Sequence, residues 1–304
     1  MNMNLIKKIN ELKKEKNAVI LVHNYQRPEI YKVADFLGDS LELSMRAAET
    51  DADIIVFCGV DFMAESAKIL NPKKKVLIPV KDAMCPMAGM VNRKELLDLK
   101  KQYPKAAVVS YINTTAETKA KSDVCCTSAN AVNVVNSLSN DEIIFVPDEN
   151  LANYVQSKTD KKIIPWKGFC YVHGRITVDQ VLEAKKNHPD AKILVHPECS
   201  MDVIKLADYV CSTSQMLYRA REDEAKKFIL VTENGMVERL KLEIPEKEFY
   251  SIGTICTQMK KNTLQLVLKS IQEEIHEINI NEEIMKKAKT ALDRMISLTK
   301  KTKH

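Results

Sequence analysis

The chain has 304 residues, 45% of them hydrophobic and 29% charged, which excludes a disordered chain and predicts two or three folded domains. The net charge of +5 is small against 46 basic and 41 acidic residues, and apolar runs fall short of the roughly 20 residues that cross a bilayer, so we expect no nucleic acid and no membrane as partners. Without the apolar core of a secretory signal, the protein is expected to be cytoplasmic, with its 8 cysteines reduced as buried thiols or metal ligands.

An apolar strand follows the first predicted helix, and the same combination recurs twice along the chain. The three predicted strands, which all begin with apolar residues and end in polar ones, cover residues 18–25, 106–113 and 191–198. Alignment on His23, Tyr111 and His196 gives steps of 88 and 85 residues. This recurrence indicates an internal repeat.

Each strand is followed by a short polar turn that we expect to open a helix. The turns contain Ser40, Ser128 and the run Ser212-Thr213-Ser214, and Ser40, Ser128 and Ser214 are 88 and 86 residues apart. Any one of these turns is explained by ordinary helix capping. Three helix N-termini facing one centre would instead attract anions, by about 0.3–1 kcal/mol each. The set favours a substrate that carries carboxylates and a phosphate.

Each repeat closes with a last short strand and a cysteine. Cys85, Cys170 and Cys256 are 85 and 86 residues apart, so three separate landmarks share one period of about 86. The sequence therefore predicts three domains, with long helices over residues 262–300 that pack back on the first of them. Their predicted bounds are residues 1–85 together with 257–304, residues 86–170, and residues 171–256.

The predicted fold class is α/β. Apolar runs of five to seven residues that alternate with amphipathic helices are typical of parallel strands buried on both faces, with helices as crossovers. In such sheets a ligand binds beyond the carboxyl ends of the strands. His23, Tyr111, His196 and the serine turns all fall at those ends, so three units around one axis would place them at a shared centre.

The shared register makes Cys85, Cys170 and Cys256 candidate metal ligands, and Cys85 precedes a proline, as cluster cysteines often do. No CxxC pair supports a closed zinc site. Three thiolates suit a [4Fe–4S] cluster with one iron open to substrate, which would act as a Lewis acid. We interpret the remaining cysteines as buried structural thiols: Cys58, Cys125, Cys126, Cys199 and Cys211.

Further polar side chains stand at strand ends or beside Cys170. They offer protons or hydrogen bonds and comprise His23, Tyr25, Tyr111, Asn113, His173, His196 and Glu198. The run His196-Pro197-Glu198 places an imidazole and a carboxylate at one strand end, next to the expected anion site. We interpret His188, His276 and His304 as structural residues.

Together these motifs resemble quinolinate synthase, the NadA family, over nearly the whole chain. The resemblance is carried by ten ordered motifs, among them His23-Asn24-Tyr25-Gln26, Gly38-Asp39-Ser40-Leu41, Cys85-Pro86-Met87-Ala88, Tyr111-Ile112-Asn113-Thr114, Cys126-Thr127-Ser128-Ala129-Asn130, His196-Pro197-Glu198-Cys199 and Ser212-Thr213-Ser214-Gln215-Met216.

The resemblance implies condensation of iminoaspartate with dihydroxyacetone phosphate to quinolinate, with loss of phosphate and two waters. It implies three Rossmann-like α/β/α domains related by pseudo-threefold symmetry, with the active site at their common interface. An enzyme that produces iminoaspartate is the protein partner to expect. One [4Fe–4S] cluster is implied on three ligands, which by motif are Cys85, Cys170 and Cys256.

Further roles are implied residue by residue. Tyr25 and Glu198 match the proton-transfer residues, with His23 and His196 beside them in catalysis. The matching substrate contacts are His23, Tyr111, Asn113, His173, His196 and Glu198, and the matching binders of carboxylate and phosphate are Ser40, Ser128, Ser212 and Thr213.

One departure from the family pattern is Cys211, which stands where relatives usually carry glycine; we expect a structural thiol there. Three alternatives remain open at this point. They are a [4Fe–4S] hydro-lyase acting on another hydroxy acid, a non-catalytic iron–sulfur sensor and a zinc-bound structural protein.

Overall fold

A computed structural model of the protein describes residues 2–301. Residues 302–304, which include His304 and the end of the predicted first domain, lie outside the described part. The described chain is built on three parallel four-stranded sheets, each with its own strands in the order second, first, third, fourth. Helices flank all three sheets, so the predicted α/β class with three parallel sheets is confirmed.

The first sheet contains β1 (Ala18–His23), β2 (Phe36–Gly38), β3 (Ile54–Cys58) and β4 (Lys75–Leu77). Its helices are α1 (Asn2–Glu15), α2 (Pro28–Tyr31), α3 (Ser40–Glu49) and α4 (Asp61–Leu70). A short 3-10 helix, Pro86–Met90, follows Cys85.

The second sheet contains β5 (Ala107–Tyr111), β6 (Val124–Cys126), β7 (Glu142–Val146) and β8 (Lys162–Pro165). Its helices are α5 (Arg93–Gln102), α6 (Ala116–Lys119), α7 (Ala131–Ser137) and α8 (Glu149–Gln156). The 3-10 helix after Cys170 is His173–Arg175.

The third sheet contains β9 (Lys192–Val195), β10 (Tyr209–Val210), β11 (Lys227–Val231) and β12 (Glu248–Ser251). Its helices are α9 (Val178–Asn187), α10 (Met201–Ile204), α11 (Thr213–Glu222) and α12 (Gly235–Glu243). The chain continues through the 3-10 helix Met259–Lys261 to α13 (Leu264–Glu273) and α14 (Glu282–Lys301).

Strand register is the same in all three sheets. Equivalent residues of the first strand lie opposite equivalent residues of both neighbours: Val22 opposite Leu37 and Cys58, Ser110 opposite Cys125 and Val146, and Val195 opposite Val210 and Val231. The period read from the sequence therefore describes one supersecondary unit built three times.

An aspartate before the second strand marks the amino edge of every sheet. Its carboxylate accepts the backbone N–H of a first-strand residue 15 positions earlier, at 2.7 Å, in the pairs Asp35 with Ile20, Asp123 with Val108 and Asp208 with Ile193. The aspartate N–H also donates back to the carbonyl of the same strand residue. These paired bonds set the position of the second strand in each unit.

The alternation of side chains along the first strands joins the three units. Val19 and Leu21 of β1 face a core that all three sheets share, whereas Ile20 and Val22 face the outer helices of their own unit. The same alternation holds in β5 and β9. Each such buried aliphatic side chain contributes about 1.5–3 kcal/mol, so the common core holds the units together as one body.

The two C-terminal helices differ in their packing. As expected, α13 packs on the first unit, against α1 and β3. The expectation holds only in part for α14, which contacts α4 of the first unit but also α6, α7 and β6 of the second. The reason is its apolar face, because Ala288, Leu292 and Met295 are fully buried in the shared core. Within residues 2–301, no helix has the length and apolar character required to span a bilayer.

Candidate active site

A cavity lies where the carboxyl ends of the three sheets meet. Residues at equivalent strand ends line it: His23 and Tyr25 at the end of β1, Tyr111 and Asn113 at the end of β5, and His196 and Glu198 at the end of β9. The first strand of every unit thus presents two side chains, two positions apart, to one space.

The structure brings nearly all of the predicted site residues to this cavity. Besides the six strand-end residues, its walls include Ser40, Ser128, His173, Thr213, Cys85, Cys170 and Cys256. Ser212 is the exception. It is buried behind the wall, where its hydroxyl accepts from Gln215 N–H and donates to Asp39 at 3.1 Å.

Glu198 is the centre of the hydrogen-bond network in the cavity. Its Oε1 accepts from the Tyr111 hydroxyl at 2.6 Å, and its Oε2 lies 2.7 Å from Nδ1 of His173. Burial alone would raise the pKa of this carboxyl, but the adjacent His173, together with the hydrogen bonds from His173 and Tyr111, outweighs the effect of burial and lowers the pKa. Glu198 is therefore an ionised carboxylate although it is buried.

The Tyr25 hydroxyl belongs to a second group of contacts. It is hydrogen-bonded to the Thr232 hydroxyl at 2.7 Å and lies 3.4 Å from Nε2 of His173, which is itself 2.9 Å from Thr232. Burial, with the charge of Glu198, raises the pKa of Tyr25 well above its usual value. The phenol is thus a proton donor, and His173 connects it with Glu198.

His23 and His196 are fixed in the same way by the backbone. Nδ1 of His23 accepts the N–H of Tyr25 at 3.1 Å, and Nδ1 of His196 accepts the N–H of Glu198 at 3.3 Å. Burial is the main factor that lowers the pKa of both imidazoles to about 3. Each ring is therefore neutral at working pH, with its proton on Nε2 as a donor.

Two of the expected helix N-termini reach the cavity. Asp39 caps α3 by accepting from the N–H groups of Leu41 and Glu42, and Ser212 caps α11 by accepting from that of Gln215. Ser40 and Thr213 are the first residues of these helices and line the cavity. Their dipoles make this wall attractive to anions.

The expectation for the third turn was wrong in part. Ser128 lines the cavity, but it does not open a helix, because α7 begins only at Ala131. Oδ1 of Asn130 accepts from both the N–H and the hydroxyl of Thr127. These two bonds hold residues 127–130 in a turn of their own and delay the helix by three residues.

Asn113 carries a free acceptor at the cavity wall. Its Oδ1 is buried and has no hydrogen-bond partner among the described residues. A buried polar atom without a partner costs about 1–3 kcal/mol. A ligand that donates a hydrogen bond there would remove this cost.

The donor set at the cavity also suits a metal. All eight cysteines, each within the described residues, are free thiols, and Cys85, Cys170 and Cys256 line this one cavity. Cys170, His173 and Glu198 offer ligand atoms that lie within 4.8 Å of one another. Burial raises the pKa of the Cys85 thiol to about 12, and a bound cation offsets that penalty because it is ligated by the thiolate.

The family described as "Quinolinate synthetase A protein", NadA, matches residues 7–297. The chain belongs to the NadA family. It is 52% identical to "Quinolinate synthase" of Alkaliphilus metalliredigens, and the matched region covers 97% of this chain and 98% of that relative. It is 53% identical to "Quinolinate synthase 1" of Methanosarcina acetivorans, over 97% of each chain. It is 51% identical to "Quinolinate synthase" of Methanocaldococcus jannaschii, over 98% of this chain and 100% of that relative.

Membership of the NadA family makes this chain an enzyme, and the structure adds a residue that sequence reasoning did not select. Thr232 follows β11 directly and bridges Tyr25 and His173. Its only signal in the sequence is its position directly after the third strand of its unit. At the departure from the family pattern, Cys211 is buried and its backbone is outside the left-handed region, which explains why glycine is not required.

Proposed function

We propose that the protein synthesises quinolinate by condensing iminoaspartate with dihydroxyacetone phosphate, with loss of phosphate and two waters, in NAD biosynthesis. The observation that carries this proposal is a single cavity lined by the Glu198 carboxylate, the Tyr25 phenol and three cysteines. The three relatives described above, which are 51% to 53% identical to the chain and carry the name quinolinate synthase, support it.

The anionic groups of the two substrates are held at the wall formed by the N-termini of α3 and α11. The hydroxyls of Ser40 and Thr213 and the free N–H groups of these first turns donate to carboxylate or phosphate oxygens. Ser128 adds a hydroxyl from the second unit, and Oδ1 of Asn113 accepts from a substrate hydroxyl or imine N–H. Three units then contribute to one binding site.

Cys85, Cys170 and Cys256 hold a [4Fe–4S] cluster. Their presence in the lining of one cavity, their free thiols and the absence of a fourth cysteine from that lining among residues 2–301 fit a cluster with three protein ligands. When bound, such a cluster supplies an open iron, a Lewis acid that assists the loss of water.

Glu198 and Tyr25 move protons in the reaction. The lowered pKa of Glu198 keeps it ionised at working pH, and this carboxylate accepts a proton from the substrate. The Tyr25 phenol, whose pKa is raised, donates a proton to a leaving or developing oxygen anion. His173 lies between them and fixes both groups: it contacts Glu198 directly, and it contacts Tyr25 through the Thr232 hydroxyl.

His23 and His196 orient substrate without changing charge. Both are neutral, and both have Nδ1 occupied by a backbone N–H. Their Nε2–H groups therefore donate to substrate oxygens, and the stacking of His196 on His173, 4.4 Å between ring centres, fixes the plane of one of them.

Anaerobic purification followed by an assay with iminoaspartate and dihydroxyacetone phosphate tests the proposal. The wild-type protein should show visible iron–sulfur absorbance and produce quinolinate. Cys85→Ala, Cys170→Ala and Cys256→Ala should lose both, while the buried strand cysteine variant Cys58→Ala should keep both. A cluster-containing wild-type protein that makes no quinolinate would overturn the assigned reaction.

Two further measurements place the reaction in its setting. Inhibition by inorganic phosphate separates this reaction from a hydro-lyase that does not bind phosphate.

Iminoaspartate must come from an enzyme that oxidises the amine of aspartate. Quinolinate formation in a coupled assay with such an enzyme tests that partnership.

A further inference from the structure

Every unit carries a carboxylate two or three residues after the end of its third strand, and that carboxylate contacts a predicted cluster cysteine. The acceptors of the cysteine backbone N–H are Asp61 Oδ1 for Cys85 at 2.9 Å, Asp148 Oδ2 for Cys170 at 3.2 Å, and Glu233 Oε1 for Cys256 at 3.1 Å. The paired residues are separated by 24, 22 and 23 positions. We call these three residues the carboxylate clamps.

A backbone bond attaches each cysteine loop at a second point. The carbonyl two residues before each cysteine accepts an N–H from the start of the facing helix: Ala83 from Asp61 at 2.9 Å, Gly168 from Glu149 at 2.8 Å and Thr254 from Asn234 at 2.8 Å. The two bonds together fix the backbone that enters each cysteine, although the loops contain no regular strand there.

Burial of two of the clamp carboxylates costs folding free energy. Asp148 and Glu233 are fully buried, and a buried carboxylate is tolerated only where hydrogen bonds or a partner charge compensate it. Asp148 also accepts the N–H of Leu151 at 2.6 Å, and Glu233 also lies 3.1 Å from Nζ of Lys260. The bond to the cysteine N–H recurs in all three units, and in two of them the carboxylate that accepts it is fully buried, which indicates a function beyond packing.

We propose that Asp61, Asp148 and Glu233 are positioning residues that hold the three cysteine loops in their ligating conformation before iron is bound. The inference concerns the backbone of this chain, and it rests on the proposed function only for the iron measurements. Partners of metal ligands typically change metal affinity by about 10- to 100-fold when removed, because an ordered loop has less conformational entropy to lose on binding.

Asp61 offers the sharpest test, since one of its oxygens accepts the bond to Cys85 and asparagine retains one carbonyl oxygen. The variants are Asp61→Ala and Asp61→Asn. The matched control is Asp123→Ala, which removes the same kind of carboxylate to N–H bond, to Val108 at 2.7 Å, at the opposite edge of a sheet.

The first readout is amide hydrogen exchange at Cys85 in the reduced, iron-free protein. Exchange should accelerate at least about 10-fold in Asp61→Ala and stay near the wild-type rate in Asp61→Asn and Asp123→Ala. The second readout is the rate at which the reconstituted, anaerobic protein loses iron to a chelator, which should rise about 10-fold or more in Asp61→Ala alone. Wild-type values for Asp61→Ala in both measurements would overturn the proposal.

Two outcomes separate this inference from the proposed function. If the wild-type protein binds no iron–sulfur cluster, the proposed function fails, and exchange in the iron-free protein still decides on the clamps. If Asp61→Ala does not fold, the wild-type chain decides. The amides of Cys85, Cys170 and Cys256 should then be protected without iron, and exchange at the rates of an unfolded peptide would overturn the proposal.

Discussion

The hydroxyl of Tyr111, at the end of β5, donates a hydrogen bond of 2.6 Å to Glu198, which follows β9. The two residues are 87 positions apart and belong to different units. The bond therefore exists only because three sheets meet at their carboxyl ends. It joins the second unit to the carboxylate that we propose as the base.

Tyr111→Phe should lower kcat/KM for quinolinate formation by about 10- to 100-fold. It removes a donor to a buried charged group, and such a hydrogen bond contributes about 1.5–3 kcal/mol. The measurement is steady-state kinetics in the anaerobic enzyme. Tyr209→Phe is the control, because it removes a phenol that bonds to a carboxylate, Asp223, at 2.7 Å outside the cavity. Equal effects of the two substitutions would contradict the role given to Tyr111.

His23 and His196 should remain neutral between pH 5 and pH 8, with the proton on Nε2. Burial lowers the pKa of each to about 3, and a backbone N–H occupies each Nδ1. Nitrogen-15 NMR of labelled histidine distinguishes the two tautomers and the imidazolium. Signals of a charged ring from either residue at pH 6 would show that the prediction is wrong.

Asp39→Asn should stabilise the protein above pH 6. Burial, and then the charge of Glu42, raises the pKa of Asp39 from 3.8 to about 6. Folding therefore takes up a proton between these values, and stability falls as the pH rises through that window. Because one pKa unit corresponds to about 1.4 kcal/mol, and asparagine caps helices equally well, we expect a gain of about 1–3 kcal/mol.

Urea denaturation of Asp39→Asn and wild type at pH 4.5 and pH 8 measures this effect. The two proteins should differ more at pH 8 than at pH 4.5. A variant that is less stable than wild type at pH 8 would mean that the ionised carboxylate stabilises this helix end.

Gly235→Ala should destabilise the protein by about 1–3 kcal/mol, because insertion of a methyl group into a filled space displaces its neighbours. A Cβ at Gly235 would lie 2.8 Å from the carbonyl oxygen of Tyr25 and 2.7 Å from Oε2 of Glu233. Gly89→Ala is the control, since a Cβ there meets nothing within 4 Å. Thermal unfolding of both variants is the measurement, and equal midpoints would contradict the close packing at Gly235.

The repeats and the strands could be predicted from the sequence because they depend on local composition. Apolar runs such as residues 18–22 are buried on both faces and form parallel strands. The turn at Ser40 opens α3, as expected. The third turn shows the limit. Asn130 pairs with Thr127 and delays α7, a competition between side chain and helix backbone that residue types alone do not decide.

The contacts between units could not be predicted from the sequence, for a different reason. The placement of α14 against the second unit depends on α4, α6, α7 and β6, which come from two units and lie side by side only after the sheets have packed. The carboxylate clamps likewise depend on loops that return to a strand end 22 to 24 residues later. Their period was present in Asp61, Asp148 and Glu233, but no local pattern distinguishes them from ordinary surface acids.

The sequence by itself determined the α/β class, the three repeats and the family, because hydrophobic periodicity, a constant spacing and ordered motifs are properties of the chain. Only the tertiary structure decided which side chains meet. It brought Glu198 to Tyr111 and His173 and left Ser212 behind the wall. The physical reason is that burial, charge and hydrogen bonds at the cavity depend on distances across three separate sheets, and no spacing along the chain encodes them.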